Sequence, residues 1–357
     1  MNRLAQLKEK LKTEGLDGIL LVNDSNIRYV SGFTGSDSYV VVTAGDNAFV
    51  TDSRYTEQAE SECKDFAVIR WGNPTGLVET IKEVCDKNGV KKLAFESNKL
   101  IYSMYESLSK GLEGIELVPT QGIVEDIRCI KDEEELECLK KAAAIADEAF
   151  TEILEQIKAG ITEKDIEREL HYLIMKKGAD DISFPIIVAS GKRSSLPHAI
   201  PSNKVIEEGD FVTLDFGATY GGYHSDMTRT IVVGRADDKQ KEIYRIVKEA
   251  QEAGSNAVKS GIKGTVPDAA ARDHIAQAGY GAFFGHGLGH GVGLDIHEGP
   301  NLSPKGEKQL EIGNAVTVEP GIYLPDWGGV RIEDTIIIRE DHIEVITKST
   351  KELIELF

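Results

Sequence analysis

The chain has 357 residues, 41% hydrophobic and 28% charged, the balance of a globular protein large enough to bury full cores without disulfide staples. Asp and Glu number 60 against 41 Lys and Arg, a net charge of −19, which argues against nucleic acid or anionic membrane as a partner, since both select positive surfaces. No stretch reaches the ~20 apolar residues of a membrane span. The first fifteen residues carry charges where a signal peptide would be apolar, and Cys63, Cys85, Cys129 and Cys138 form no CxxC pair. A reducing cytoplasm is the expected compartment.

Leu4, Leu7 and Leu11 share one helical face, and Gly15 stops that helix. Apolar runs at 18–22, 39–43, 48–51 and 91–95 read as strands, and the alternation of helix and strand predicts a small α/β domain. Pro119–Gly122 is a turn-rich break, which sets the domains at 1–124 and 125–357. Asp132 and Glu135 then form a capping-box pattern ahead of an apolar stripe at Leu136, Leu139, Ala143, Ala146, Phe150 and Ile153, with Gly160 expected to end the helix. Thr162 with Asp165 opens a second helix that Gly178 closes, and beyond Phe184 the signals are mainly strand.

The second domain repeats itself. Ile206–Gly217 resembles Leu310–Gly321 at an offset of 104 residues, placing Asp215 on Glu319; a later offset of 107 places Asp226 on Glu333 and Thr228 on Thr335. The surroundings of His198 likewise resemble those of His297. A duplicated α+β half predicts a pseudo-twofold domain whose repeated acids face each other. Asp215 lies inside the apolar run 211–216, where a buried acid must be paired or bind metal.

Asp215 and Asp226 flank Tyr220–Gly222. A hairpin centred between Tyr220 and Gly221 sets the two acids directly opposite, with Cβ atoms about 4.5–5.5 Å apart, a spacing suited to two metals about 3.5–4 Å apart. Glu319 ends the strand 315–319 and Glu333 lies in 330–338. Four converging carboxylates repel one another, and two divalent cations balance them. A fifth ligand is expected from the cluster His286, His290 and His297, whose five interleaved glycines between 285 and 293 argue against a helix. Acids with one imidazole suit Mn²⁺, Co²⁺, Fe²⁺ or Zn²⁺.

The strings 214–217, 224–230, 286–298, 319–323 and 330–334 together resemble the Xaa-Pro peptidases, prolidase and aminopeptidase P, relatives of creatinase and methionine aminopeptidase. The resemblance spans nearly the whole chain. It implies a creatinase-like α/β N-terminal domain, an α+β pseudo-twofold "pita-bread" catalytic domain, and a homodimer acting on di- or oligopeptides with proline second. The residues matching the dinuclear ligands are Asp215, Asp226, His290, Glu319 and Glu333, with Mn²⁺ placed first among the cations. His198, His286 and His297 match histidines that bind substrate and assist proton transfer, and Tyr323 and Arg331 match positions beside the ligands. Glu319 is the expected proton shuttle. His290 has no counterpart in the first half, so the two metals are expected to be inequivalent. His171, His224, His274 and His342 lack motif support and read as structural or surface residues. The segment Asp24–Phe33 is expected either to border the substrate entrance or to be a strand-to-helix turn packed in its own domain. The alternative reading, a non-catalytic pita-bread scaffold that binds protein, is disfavoured by the intact ligand set.

Overall fold

The structure, a computed structural model, describes residues 2–357. The chain divides into two compact units, the first ending at Arg128 and the second spanning Cys129–Phe357.

The first unit is a six-stranded sheet in the order β4-β3-β2-β1-β5-β6, formed by β1 (Gly18–Leu21), β2 (Tyr39–Thr43), β3 (Asn47–Thr51), β4 (Ala67–Arg70), β5 (Lys92–Glu96) and β6 (Glu116–Thr120). Strands β1–β2 and β2–β3 are antiparallel and the remaining pairs parallel. The helices are α1 (Arg3–Thr13), α2 (Asp24–Ser31), α3 (Thr56–Glu62), α4 (Leu77–Lys87), α5 (Tyr102–Gly111) and α6 (Ile123–Arg128). Leu7 and Leu11 bury the inner face of α1. Strands β4 and β6 escaped the sequence reading because they are edge strands with no fully buried residue, so neither shows a continuous apolar run. Asp24–Ser31 proves to be a helix rather than a turn, with Ile27, Tyr29 and Val30 buried and Gly32 capping it at φ +79°.

The expected boundary at residue 124 is four residues early. The Pro119–Gly122 turn ends β6 but not the unit: α6 follows it, buries Ile123 and Val124, and sends Arg128 Nη1 to Asn26 Oδ1 at 2.7 Å.

In the second unit, α7 (Glu133–Ile153) and α8 (Glu163–Lys176) both start at complete capping boxes, Asp132/Glu135 and Thr162/Asp165. Helix α7 stops at Ile153, short of Gly160. That glycine instead bonds the carbonyl of Ile206 at 2.9 Å, in the crossing that leads into α8. The strands are β7 (Asp181–Ile182), β8 (Ile187–Ser190), β9 (Phe211–Phe216), β10 (Ala218–Tyr220), β11 (Tyr223–His224), β12 (Met227–Val233), β13 (Gly289–Gly291), β14 (Glu298–Leu302), β15 (Ala315–Val318), β16 (Gly321–Leu324), β17 (Gly328–Arg331), β18 (Asp334–Ile338), β19 (Ile343–Val345) and β20 (Glu355–Leu356). Helices α9 (Asp238–Ala257) and α10 (Thr265–Gln277) complete the unit. One sheet runs β20-β12-β9-β8 and shares a core with α7 and α8; the other runs β14-β13-β15-β18-β19 and shares a core with α9 and α10.

The repeat is visible in the strands. The antiparallel pair β9/β12 breaks and continues as β10/β11 in a different sheet; the pair β15/β18 breaks and continues as β16/β17. The expected register of the first hairpin is corrected. Tyr220 pairs with Tyr223 and Asp215 with Thr228, so Asp215 does not face Asp226 directly. The turn is Gly221-Gly222, at φ +59° and +82°, since a two-residue hairpin turn of this kind needs positive φ at both positions. The shift moves the partner by two residues, which leaves Asp226 on the same face as Thr228 and diagonal to Asp215.

Candidate metal centre

The acids sit where the hairpins leave their sheets. Asp215 is in β9 near its end, Asp226 lies between β11 and β12, Glu319 follows β15, and Glu333 lies between β17 and β18. The two halves lock together at these breaks. Thr228 Oγ1 donates to Glu333 Oε2 at 2.7 Å, and Thr335 Oγ1 donates to the carbonyl of Asp226 at 2.9 Å. Thr228 and Thr335 are repeat equivalents, so each half's threonine reaches the other half's acidic residue. Sequence reading aligned this pair without giving it a task; the repeat was the signal that could have done so.

His290 comes from β13, which lies between β14 and β15. A Cβ on Gly289 would lie 2.0 Å from the carbonyl oxygen of Thr317, and one on Gly291 would lie 2.1 Å from that of Gly299. The glycines therefore admit neighbouring backbone, not a ligand. His290 Nδ1 lies 3.0 Å from the carbonyl of Gly291. A carbonyl only accepts, so the proton sits on Nδ1 and Nε2 presents a lone pair. That lone pair faces Asp226 Oδ2 at 3.5 Å and Glu319 Oε1 at 3.4 Å. Donor atoms of Asp226, His290 and Glu333 all lie within 4.8 Å of one another.

Burial makes this arrangement costly for protein atoms alone. Asp226 is 5% exposed and Glu333 1%. Asp215 Oδ1 and Glu333 Oε1 are buried without a hydrogen-bond donor. Burial, reinforced by Glu333, Asp215 and Glu319, pushes the Asp226 carboxyl well above its ordinary range. Glu333 is likewise raised by burial and then by Glu319 and Asp215. Burial pushes Glu319 up to about 8 and His290 down to about 4. Two orphaned carboxylate oxygens, a bare imidazole nitrogen and mutually repelling acids fit divalent cations.

Around the ligands, Arg331 Nη2 donates to Asp215 Oδ2 at 2.6 Å and Nη1 to Tyr323 Oη at 2.9 Å. Tyr323 Oη is 2.9 Å from His286 Nε2, and His286 Nδ1 is 2.8 Å from the carbonyl of Gly287. The directions follow in a chain: Arg331 donates to the phenol, which donates to Nε2, while Nδ1–H binds the carbonyl. Burial holds His286 near 4 and lifts Tyr323 to about 12, so both stay neutral. All five ligand candidates, with His198, His286, His297 and Arg331, line one cavity of about 270 Å³. Tyr323 stands behind it. His198 and His297 are exposed, whereas His286 and His290 are half-buried. His224 lies outside that lining, with Nδ1 at 3.0 Å from Ser183 Oγ.

The chain matches metallopeptidase family M24 over residues 137–340 and the creatinase/prolidase N-terminal domain over residues 3–130. The Xaa-Pro dipeptidase from Bacillus anthracis is 48% identical and superposes with a TM-score of 0.96 over 99% of both chains. The X-Pro aminopeptidase from Thermotoga maritima is 38% identical, with a TM-score of 0.90 over 98% of this chain and 100% of that one. The Xaa-Pro dipeptidase of Pyrococcus horikoshii is 39% identical over 99% of this chain and 98% of its own length.

Proposed function

The chain belongs to metallopeptidase family M24, with a creatinase/prolidase N-terminal domain ahead of a pita-bread catalytic domain, and from that premise we propose that it cleaves the bond before proline at the N-terminus of very short peptides with two divalent cations held by Asp215, Asp226, His290, Glu319 and Glu333. The observation that carries this reading is the set of buried donors left incomplete: Asp215 Oδ1 and Glu333 Oε1 without partners, beside the bare Nε2 of His290.

Divalent cations there would supply an acidified water and polarise the scissile carbonyl. The protein's own groups do the rest. Glu319, on the cavity wall beside the other acids, is the group we assign to take a proton from the water and give it to the leaving proline nitrogen. His198 and His297, exposed on the cavity, are placed to donate to the carbonyl oxygen as it gains charge. Arg331 fixes the Asp215 carboxylate. His286 uses both ring nitrogens on Gly287 and Tyr323, which favours bracing Arg331 over touching substrate. His290, which has no counterpart in the other half, breaks the symmetry of the carboxylates, so two cations held there would be inequivalent, and one held by His290 would be the better placed to polarise the substrate carbonyl.

The cavity of about 270 Å³ lies just below the roughly 300–1,000 Å³ of common ligand sites, and a dipeptide is the substrate we propose for it. Mn²⁺ stands first among Mn²⁺, Co²⁺, Fe²⁺ and Zn²⁺, for which acids and imidazole are suited. Cys63 and Cys85 are buried thiols, in keeping with the reducing cytoplasm we propose as the compartment, and the assembly proposed is a homodimer. Comparing Ala-Pro, Ala-Pro-Ala and Met-Ala-Ala with Mn²⁺, Co²⁺ and Zn²⁺ tests the substrate. Cleavage of Ala-Pro alone is expected; rapid release of alanine from the tripeptide would make the enzyme an aminopeptidase.

A further inference from the structure

A second buried arginine takes no part in the chemistry above. Arg229 is 1% exposed, and each of its five N–H donors has a partner. Nη1 donates to the carbonyl of Thr228 at 2.9 Å and to the carbonyl of Glu333; Nη2 donates to Asp334 Oδ1 at 2.8 Å and to the carbonyl of Ser349 at 2.7 Å; Nε donates to the carbonyl of Thr350 at 3.0 Å. Asp334, also 1% exposed, accepts at Oδ1 from Thr347 Oγ1 at 2.9 Å, and at Oδ2 from Lys351 Nζ at 2.6 Å and Gln251 Nε2 at 3.1 Å. Four of these partners, Thr347, Ser349, Thr350 and Lys351, come from the last segment of the chain. That segment is tied down on either side. The Asp147 carboxylate accepts the backbone N–H groups of Lys348 and Ser349, both at 2.7 Å, and β20 pairs with β12 through Val232–Glu355 and Val233–Leu356.

What Arg229 holds is specific. Glu333 lies in the break between β17 and β18, outside both strands, and the guanidinium binds its carbonyl in place of a ladder partner. The same nitrogen binds the carbonyl of Thr228, whose hydroxyl orients the Glu333 carboxylate. The clamp is no relic of the duplication: at the offset of 107, Arg229 corresponds to Ile336 and Asp334 to Met227, and neither can serve.

We propose that the segment 347–356 is a positioning strap for the metal ligand Glu333, acting through Asp334 and Arg229 on the backbone of Glu333 and Thr228. The inference rests on the two-cation reading of the site. An outer partner that orients a ligand typically changes metal affinity by about 10–100-fold when removed.

The test is calorimetric titration of the metal-free, full-length protein with Mn²⁺. Lys351→Met and Thr347→Val are each expected to weaken at least one binding step by about tenfold or more, and Lys351→Arg to restore it. Lys351 is about a quarter exposed, so its replacement is the better tolerated of the two. Lys248→Met, which breaks the outward pairs with Glu352 on the same segment and with Glu252 on its own helix, should leave binding unchanged. Wild-type affinity at every step in both Lys351→Met and Thr347→Val would overturn the strap and reduce the segment to fold closure. A wild-type protein that binds no Mn²⁺ would instead remove the cation reading on which the strap depends.

Discussion

Both units bury carboxylates, and the two sets are completed differently. In the first unit Glu96 is 4% exposed, yet both oxygens are used. Oε2 accepts from the backbone N–H groups of Val22 at 2.6 Å and Asn23 at 2.8 Å, and Oε1 from Asn26 Nδ2 at 2.5 Å. In the second unit Asp215 and Glu333 each keep one buried oxygen with no donor. Burial raises the pKa of Glu96 as it does those of Asp226, Glu319 and Glu333, so the shift alone does not separate a structural acid from a ligand. We take the missing donors on the carboxylates as the distinction, because a buried carboxylate oxygen without a partner costs about 1–3 kcal/mol unless something outside the chain supplies the positive charge.

Glu319→Gln puts the most weight on this contrast. It should lower kcat/KM for Ala-Pro by about 10³-fold, within the usual range for a lost proton-transfer group, in a protein of unchanged circular dichroism; near-normal proline release would refute the assigned role. Arg331→Met strips Asp215 and Tyr323 of their shared partner and should weaken Mn²⁺ binding by about 10–100-fold, read by titration of the metal-free protein.

Smaller effects follow from protonation. Glu319, at about 8 in the folded chain against about 4.3 when unfolded, holds a proton that the unfolded chain releases. The metal-free protein therefore loses stability as pH rises from about 4.3 to 8. His286 and His290, depressed to about 4, act oppositely, since their contribution is present above about 6.5 and is lost as pH falls toward 4. Between pH 6.5 and 8 the carboxylates act alone, so the Tm of the metal-free protein should fall across that window. Mn²⁺ affinity should rise across it as the competing proton leaves; a Tm that rises with pH would contradict the assignment. Glu96→Gln should have the smallest effect on function. Replacing an acceptor by a donor among N–H groups costs about 1–3 kcal/mol of stability, seen in a denaturant melt, with Mn²⁺ affinity unchanged.

The acids were legible because each half of the second unit marks them twice, by repeat position and by an acid set within apolar sequence, and the structure gathers all five ligand candidates on one cavity. The first hairpin was misread at its tip. Tyr220, Gly221 and Gly222 allow two turn centres, and only the conformation shows that both glycines carry the positive φ. Side-chain parity survived because the error was two residues. The domain boundary was misplaced because a Pro/Gly turn ends a strand as readily as a domain. The Arg229–Asp334 clamp was invisible, since four of the five Arg229 acceptors are backbone carbonyls, two of them about 120 residues away, and carbonyls leave no pattern in sequence.

The contrast between the two units reduces to whether the orphaned oxygens of the second are cation ligands. Titrating the metal-free protein with Mn²⁺ at pH 8 measures this directly. Two equivalents per chain are predicted, with unequal affinities because His290 stands beside only one of them. Zero or one equivalent would contradict the account.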